Sequence, residues 1–211
     1  MSLSEISQSV IDGNSPKAAE LTKAAIDAQV PAAKILEEGL VPAMKTVGEL
    51  FGKGEYYFPE LLLAGEAVKG ALKHLRPILG KEGTAYAGKY AIGTVQGDIH
   101  DIGKNIIIMM LEANGWEVMD LGVDVPPESF CSAVKEGDFQ VLGMSSLLTL
   151  TMPHMAETID ALKEAGLRDK VRVMIGGAPV TQGFADKIGA DAYGRDAVEA
   201  VTKAEALVRK S

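Results

Sequence analysis

Five alternations of a strand-like segment with a helical segment, between residue 89 and the C-terminus, constrain the fold of this chain more than any other feature. The strand-like runs are 89–95, 116–120, 139–144, 171–175 and 190–193. The helical patterns that follow them are 102–114, 127–137, 153–166, 180–187 and 195–209. Such alternation predicts an α/β domain with a five-stranded, parallel, doubly wound, flavodoxin-like sheet and right-handed crossovers.

The loops that follow four of the predicted strands contain most of the candidate functional residues of this half of the chain. They are 96–103, 145–151, 176–179 and 194–196. In a doubly wound sheet, ligands bind beyond the carboxyl ends of the strands. We therefore expect these loops to meet at one edge of the sheet and to form the functional site there.

Residues 1–78 have helical periodicity and are predicted to form a small helical bundle. Pro16, Pro31 and Pro59 can each occupy a first helical turn, where the missing N–H has no consequence. Pro42 falls inside an apolar helical run, so a kink or a break is expected there.

The residue pattern changes after residue 78, from helical periodicity to a segment rich in glycine and charge. The segment LGKEGTAYAG (79–88) has the glycine and charge content of a linker. The sequence thus predicts a helical domain over 1–78, a linker over 79–88 and a Rossmann-like domain over 89–211.

Charge and composition exclude several classes of function. The 211 residues include 29 acidic and 21 basic side chains, for a net charge of −8, which disfavours nucleic-acid binding. The N-terminus does not resemble a signal peptide, and the most apolar run, 106–111, is too short to span a membrane. The single Cys131 excludes a cysteine-rich metal site and fits a reducing cytosol. A cytoplasmic protein without nucleic-acid or membrane partners is expected.

The stretch GDIHDIGKNI (97–106) directly follows the first predicted strand and allows three kinds of site. These are a phosphate-binding loop, a metal site with several protein ligands, and a single axial ligand for a large cofactor. A Walker loop is disfavoured because the spacing from Gly97 to Gly103 is one residue too long. Asn105 also lacks the hydroxyl that would hold magnesium, and two aspartates would repel a triphosphate.

A metal site with several ligands is disfavoured by the histidine count. Zinc or iron needs three or four ligands, whereas His74 and His154 lie on predicted helices away from the loop. A phospho-receiver domain shares the five-stranded fold but would explain neither His100 nor the helical module. The loop sequence by itself does not exclude the ordinary interpretation, in which His100 only forms a hydrogen bond with a local backbone group.

Three motifs in order carry a resemblance to a known family. Asp98-Ile99-His100-Asp101-Ile102-Gly103 matches D-x-H-x-x-G, Ser145-Ser146-Leu147 matches S-x-L, and Gly176-Gly177 follows. The set resembles the cobalamin-binding domains of the methionine synthase type. The upstream segment VGELFGKGEYYFPELL (47–62) is similar to the helical cap of that family. A cap joined to a Rossmann-like unit of this size resembles the corrinoid proteins of methyltransferase systems.

The resemblance implies a functional set of His100, Asp98 and Thr151. His100 is expected to be the lower axial ligand of cobalt, with Asp98 accepting a hydrogen bond from its other ring nitrogen. Thr151 is expected to continue this relay, standing where methionine synthase has serine. Gly103 is expected to let the backbone approach the corrin.

The resemblance also assigns residues that contact the cofactor, including its nucleotide tail. Around the lower face these are Gly97, Asp98, Ile99, His100, Asp101, Ile102 and Gly103. Along the slot for the tail they are Ser145, Leu147, Thr149, Thr151, Gly176, Gly177, Ala178, Tyr193 and Asp196. In the cap they are Phe51, Tyr57, Phe58 and Leu61, for which packing in the bundle core is the ordinary alternative.

The function that the resemblance implies is that of a corrinoid methyl carrier, either non-catalytic alone or the methyl-carrying subunit of a methyltransferase system. Cobalt(I) of a bound cobalamin or related corrinoid would accept a methyl group from a substrate bound to one methyltransferase. A second methyltransferase would pass it to a folate, pterin or thiol, and a reductive activase would restore the cofactor. The alternatives are the small cobalamin subunit of an adenosylcobalamin mutase and a cobalamin-dependent sensor.

Overall fold

A computed structural model describes residues 2–82 and 87–208 of the chain. These residues fall into two compact units. The first contains the helices before residue 83 together with Met109–Gly115, and the second contains the parallel sheet and the remaining helices. Among the described residues, no helix combines the length and the apolar character needed to cross a membrane.

Among the described residues before residue 83, the helical unit contains five α-helices, of which the first two begin at side-chain caps. They are α1 (Leu3–Ile11), α2 (Ser15–Asp27), α3 (Ala32–Ile35), α4 (Val41–Gly52) and α5 (Phe58–Glu82). Ser2 and Glu5 form a capping box at the start of α1, and the Asn14 side chain caps α2 by accepting from Lys17 N. These side chains satisfy backbone donors that the first helical turn would otherwise leave unpaired.

At Pro42, where a kink or a break was expected, the helical run continues from residue 32 to 52 and contains a π-helical turn just before the proline. A π-helical turn, Leu36–Leu40, separates α3 from α4, and Pro42 lies in the first turn of α4, where proline is tolerated. Helix α5 continues to Glu82 with Pro77 inside it. The first part of the segment interpreted as a linker, 79–82, is therefore helical, and 83–86 lie outside the described residues.

The second unit is the predicted five-stranded parallel sheet. Its strands are β1 (Lys89–Thr94), β2 (Glu117–Asp120), β3 (Val141–Ser145), β4 (Arg172–Gly176) and β5 (Ala192–Gly194). The order is β2-β1-β3-β4-β5, with every described pair parallel. This order reverses direction between β1 and β3, which is the usual ligand position in flavodoxin-like sheets. The predicted fold class is confirmed.

In the described part of the chain, four α-helices cross over between successive strands and a fifth follows the last strand. They are α6 (Ile102–Ala113), α7 (Pro127–Glu136), α8 (Pro153–Glu164), α9 (Gln182–Ile188) and α10 (Ala197–Val208). One face of the sheet packs a dry core against α7, α8 and α9, centred on Phe130, Ile159 and Val173. The other face, which carries Tyr90 and Met174, adjoins α6 and α10. A narrow groove lies on this second face.

Candidate functional site

The loop between β1 and α6 holds His100 at the carboxyl edge of the sheet. Gly97 has a φ of +78°, and the Asp98 N–H donates to Val95 O at 3.1 Å, so the chain turns as soon as the strand ends. The buried Thr94 hydroxyl donates to His100 O at 2.8 Å. The loop is thus held to the strand from which it emerges.

Asp98 lies at the centre of the site and is fully buried. Its Oδ1 accepts from His100 N at 3.0 Å and lies 2.7 Å from His100 Nδ1. Its Oδ2 accepts from Leu147 N at 2.7 Å, from Leu148 N at 3.2 Å and from Thr151 Oγ1 at 3.0 Å. One carboxylate therefore joins the loops that follow β1 and β3, which brings the three predicted functional residues together.

These contacts fix the charge of Asp98. Burial raises the pKa of this carboxyl, but the hydrogen bonds from Leu147 N, from the backbone and ring of His100 and from Thr151 outweigh it and lower the pKa to about 2. An ionised carboxylate can only accept, so the hydrogen between the two side chains belongs to Nδ1 of His100. In the neutral ring, Nε2 then carries the lone pair, and the ring is 47% exposed, which is the arrangement of a metal-binding imidazole.

A buried hydroxyl pair extends this network. Ser146 Oγ lies 2.8 Å from Thr151 Oγ1, and it donates to Thr151 when the Thr151 hydroxyl donates to Asp98. Ser146 occupies the variable position of the S-x-L motif, so the motif gave no reason to select it. A hydroxyl there fixes the rotamer of Thr151 and with it the direction of the hydrogen bond to Asp98.

Asp124 is a second residue that the sequence did not reveal. Its N–H donates to Asp98 O at 2.9 Å, and its Oδ1 accepts from Gly97 N at 2.7 Å. Its φ of +54° is rare for a residue other than glycine. Aspartate tolerates this conformation better than most side chains, which is the one signal that could have found it. Asp124 clasps the backbone next to the Asp98 carboxylate.

An ion pair between the buried Lys104 and the exposed Asp120 supports the start of α6. The Lys104 side chain is 2% exposed and donates to both oxygens of Asp120, at 2.6 and 2.7 Å. Asp120 also accepts from Gly122 N at 2.9 Å. The pair joins the first turn of α6 to the carboxyl end of β2, and so anchors the helix that begins directly after the His100 loop.

The other predicted residues of the lower face are solvent-exposed. Ile99 and Ile102 are more than two-thirds exposed, at 74% and 71%, although both are large and apolar. Asp101 and Gly103 are also exposed, and a β-carbon on Gly103 would meet no atom within 4 Å. The free space beside Gly103 agrees with an approaching ligand rather than with tight packing inside the protein.

The loops after β3 and β4 carry the predicted slot residues. Ser145 and Gly176 line a groove on the sheet face beneath α6 and α10. Leu147, Thr149 and Ala178 are exposed at its edge. Gly177 has a φ of +131°, and a β-carbon there would lie 1.8 Å from Ser146 O. Only glycine fits where these two loops touch.

Two predicted slot residues lie elsewhere. The Tyr193 side chain packs against the dry core on the opposite face of the sheet, and its neighbour Gly194 lines the groove instead. Asp196 accepts from Glu199 N at 2.8 Å and so caps the start of α10. Side chains alternate between the faces of a strand, so a shift of one residue exchanges them.

The predicted cap residues divide between the surface and the core of the helical unit. Tyr57 and Phe58 are 66% and 46% exposed at the start of α5, while Phe51 is half-buried. Leu61 is 2% exposed and belongs to the bundle core. The Tyr57 N–H donates to Glu60 Oε2 at 2.9 Å, which holds the exposed aromatics at a capped helix end.

Within the described residues, no group of three or more histidine, cysteine and carboxylate side chains is arranged to hold a metal ion. The His100 imidazole, with one nitrogen free, can therefore provide a single axial bond to a metal whose other ligands come from a cofactor. A corrin ring carries a metal in this way.

Comparison with known families agrees with this arrangement. A B12 binding domain model matches residues 88–202, and a second B12 binding domain model matches residues 3–76. This chain belongs to the B12-binding corrinoid proteins. It binds a cobalamin or related corrinoid, as the ordered motifs of the sequence predict.

Relatives of this corrinoid protein match over nearly its whole length. The trimethylamine corrinoid protein of Methanosarcina barkeri is 43% identical over 208 residues, covering 98% of this chain and 96% of the relative. A cobalamin-binding protein from Desulfitobacterium hafniense has a solved structure with a TM-score of 0.80 and 37% identity, covering 98% of both chains. The family is that of methyltransferase corrinoid proteins.

A third similar structure comes from a complex. The methanol:cobalamin methyltransferase complex of Methanosarcina barkeri contains a chain with a TM-score of 0.86 and 29% identity, covering 99% of this corrinoid protein and 80% of that chain. The resemblance stated from the motifs is thereby confirmed. The predicted role in a methyltransferase system holds at the level of the family.

Proposed function

We propose that this corrinoid protein carries methyl groups between two methyltransferases, with His100 as the lower axial ligand of cobalt. The observation that carries the proposal is the array of Asp98, His100 and Thr151 at the switch point of the sheet. Asp98 orients the ring and holds the hydrogen on Nδ1, so Nε2 is presented to the metal. The bound corrinoid supplies the nucleophilic and methyl-accepting cobalt.

The methyl donor is proposed to be a methylamine. The trimethylamine and dimethylamine corrinoid proteins of Methanosarcina are 43% identical to this chain, whereas the chain from the methanol complex is 29% identical. The proposed partners are a methylamine:corrinoid methyltransferase, a second methyltransferase with a folate, pterin or thiol acceptor, and a reductive activase. Near-complete coverage of methyltransferase relatives disfavours a mutase subunit or a sensor.

Axial ligation by His100 is tested by His100→Ala. In the cobalt(II) form, the paramagnetic resonance spectrum of the wild type is expected to show coupling to one histidine nitrogen, because Nε2 is its free ring nitrogen. The variant is expected to lose that coupling. His154→Ala is the matched control, since His154 Nδ1 pairs with Glu157 at 2.7 Å on α8, away from the loop. If the nitrogen coupling persists in His100→Ala, His100 is not the axial ligand of cobalt.

We further propose that Tyr57 and Phe58 cover the bound corrinoid against water and light. Both are large, exposed and held at a capped helix end, and an apolar cover protects a reactive centre from solvent. Replacing either by alanine should increase the rate at which light removes the methyl group from the loaded protein. The control is Leu63→Ala, which removes another exposed apolar side chain of α5. Equal rates in all four proteins would contradict the cover.

A further inference from the structure

The segment that carries His100 is tied at its start to the loop after β2. We call residues 97–104 the His100 segment, and we call residues 120–124, the last residue of β2 and the loop after it, the β2 loop. Gly97 N donates to Asp124 Oδ1 at 2.7 Å, so the first residue of the segment is held by the last residue of the loop. A carboxylate accepts this hydrogen bond, which makes it stronger than one between neutral groups.

Lys104 ties the other end of the His100 segment to the same β2 loop. Its ammonium group donates to both carboxylate oxygens of Asp120, at 2.6 and 2.7 Å. Asp120 Oδ1 also accepts from Gly122 N at 2.9 Å, so the carboxylate that Lys104 contacts is itself fixed to the β2 loop. The two ends of the His100 segment are thus held by two aspartates that lie four residues apart in the sequence.

A further hydrogen bond of Lys104 leads back toward the histidine. Lys104 Nζ donates to Asn105 Oδ1 at 3.0 Å, and Asn105 Nδ2 donates to Asp101 Oδ2 at 3.1 Å. Together with the two bonds to the carboxylate, this contact matches the three donors of an ammonium group. Asp101 directly follows His100, so the same ammonium group is joined both to the β2 loop and to the residue next to the proposed axial ligand.

The burial of Lys104 indicates that it has a role beyond packing. Its side chain is 2% exposed, and a buried ammonium group is unfavourable unless it is paired. A methionine would fill most of the same space without this cost, since replacing buried ion pairs by apolar side chains is often neutral or stabilising. What the lysine adds is direction, because its hydrogen bonds fix the first turn of α6 relative to the end of β2.

We propose that Lys104 is a positioning residue for the axial histidine, acting through Asp120 and the β2 loop to fix the backbone of His100 before the corrinoid binds. The inference rests on the proposed function, in which His100 ligates cobalt. Asp98 orients the imidazole ring, whereas Lys104 fixes the segment on which the ring is carried. Without the ammonium group, the end of that segment is released and the ring is presented to the metal less often.

Lys104→Met tests the proposal first in the apoprotein. The change removes the ammonium group and keeps most of the length of the side chain. The amide hydrogens of Gly97 and His100 are expected to exchange about tenfold faster than in the wild type, as the loss of a hydrogen bond to a charged group allows. Unfolding in urea shows separately how much the variant changes global stability.

Arg168→Met is the matched control. Arg168 pairs with Asp191 at 2.8 Å, and the two side chains are 18% and 19% exposed, so this variant also breaks a largely buried ion pair. Asp191 accepts from Val173 N near the amino end of β4, whereas His100 lies at the carboxyl edge of the sheet. The control is expected to leave amide exchange at Gly97 and His100 unchanged.

The second readout uses cobinamide, a corrinoid that has no base of its own. In the cobalt(II) form bound to the protein, the axial position is taken by His100 or by water, and nitrogen coupling in the paramagnetic resonance spectrum distinguishes the two. The ratio of histidine-bound to water-bound cobalt is expected to fall about tenfold in Lys104→Met, as when an outer partner of a metal-bound histidine is lost. Arg168→Met should keep the wild-type ratio.

Asp120→Asn shows whether the lysine acts through the β2 loop. It keeps an oxygen that can accept from Gly122, and because Asp120 is 44% exposed it provides the same test should Lys104→Met not fold. The ratio should fall by a similar factor in Asp120→Asn and no further in the double variant, since residues that act as one pair are not additive.

The outcomes separate this inference from the proposed function. If the wild type loaded with cobinamide shows no nitrogen coupling from His100, axial ligation fails, and the proposed function fails with it. If the wild type shows the coupling and Lys104→Met keeps the same ratio, the role of Lys104 is overturned while axial ligation stands. An equal fall of the ratio in Arg168→Met would also overturn it, because a general loss of stability would then explain the effect.

Discussion

Asp98→Asn is expected to weaken corrinoid binding by about 10–100-fold, the usual effect of losing the carboxylate behind a metal-bound histidine. The buried carboxylate accepts five hydrogen bonds, and all five partners are donors in the geometry described above. In either orientation, the amide of asparagine turns its NH2 group toward at least two of these donors. The variant therefore loses either the hydrogen bond that orients the His100 ring or the hydrogen bonds to the loop after β3.

The measurement is equilibrium binding of the corrinoid to wild type and variant, accompanied by unfolding in urea. Asp138→Asn is the matched control, because Asp138 is exposed on the loop before β3 and should leave both quantities unchanged. Thr151→Ala removes one of the five donors and should weaken binding in the same direction but less. Wild-type affinity in Asp98→Asn would show that the carboxylate does not support the ligand.

The pH dependence of stability follows from the same hydrogen bonds. The folded-state pKa of Asp98 is about 2, below its ordinary value of 3.8, so ionised Asp98 stabilises the fold above about pH 4. This contribution, about 2 kcal/mol, is lost as the pH falls from about 4 to 2. The difference in unfolding free energy between wild type and Asp98→Asn should therefore shrink from pH 5 to pH 3. A difference that stays constant over this range would contradict the low pKa.

Gly177→Ala is expected to lower the free energy of unfolding by about 2–4 kcal/mol, the largest loss of stability from a single added methyl group in the site. The added carbon would lie 1.8 Å from Ser146 O, and the φ of +131° is a conformation that only glycine adopts readily. The backbone must move, and with it the loop that supplies two amide donors to Asp98. The melting temperature should fall by roughly 10 °C.

Gly183→Ala is the matched control for this substitution. Gly183 lies in α9 with no atom within 4 Å of an added β-carbon, and alanine favours helix, so its stability should be unchanged or rise by less than about 1 kcal/mol. Calorimetric melting curves of the three proteins make the comparison. Equal melting temperatures for Gly177→Ala and Gly183→Ala would show that the two loops after β3 and β4 do not pack as closely as described.

The parts of the site that the sequence predicted are those set by local spacing or by strand order. The sequence spacing of Asp98 and His100 allows their contact once Gly97 turns the chain. The alternation of strands and helices placed both loops at one sheet edge, and the resemblance supplied Thr151. The position of the loops follows from the parallel direction of the strands alone, which the right-handed crossover rule determines.

The parts that the sequence did not predict depend on which face a side chain takes. The fifth strand was predicted at 190–193 and is found at Ala192–Gly194, and the alternation of faces puts Gly194 rather than Tyr193 in the groove. The same uncertainty applies to Leu61, whose position on α5 is set by helix packing that periodicity locates only to within part of a turn.

Asp124 was missed for a different reason. The role of Asp124 depends on a left-handed backbone conformation that its residue type permits but does not require. It also depends on contacts with Gly97 and Asp98, which are far from it in sequence, and residue patterns do not encode such contacts.

The hydrogen bonds between Asp98 and the loop after β3 also bear on when the newly synthesised chain can bind its cofactor. Its partners Leu147 and Thr151 follow it by 49 and 53 residues. In a chain emerging from the ribosome, these contacts form only after β3 has been synthesised and has paired with β1. Short contacts close quickly, whereas parallel pairing over such a distance comes late in folding. We therefore expect corrinoid loading to follow folding, with apoprotein as a stable species that waits for its cofactor.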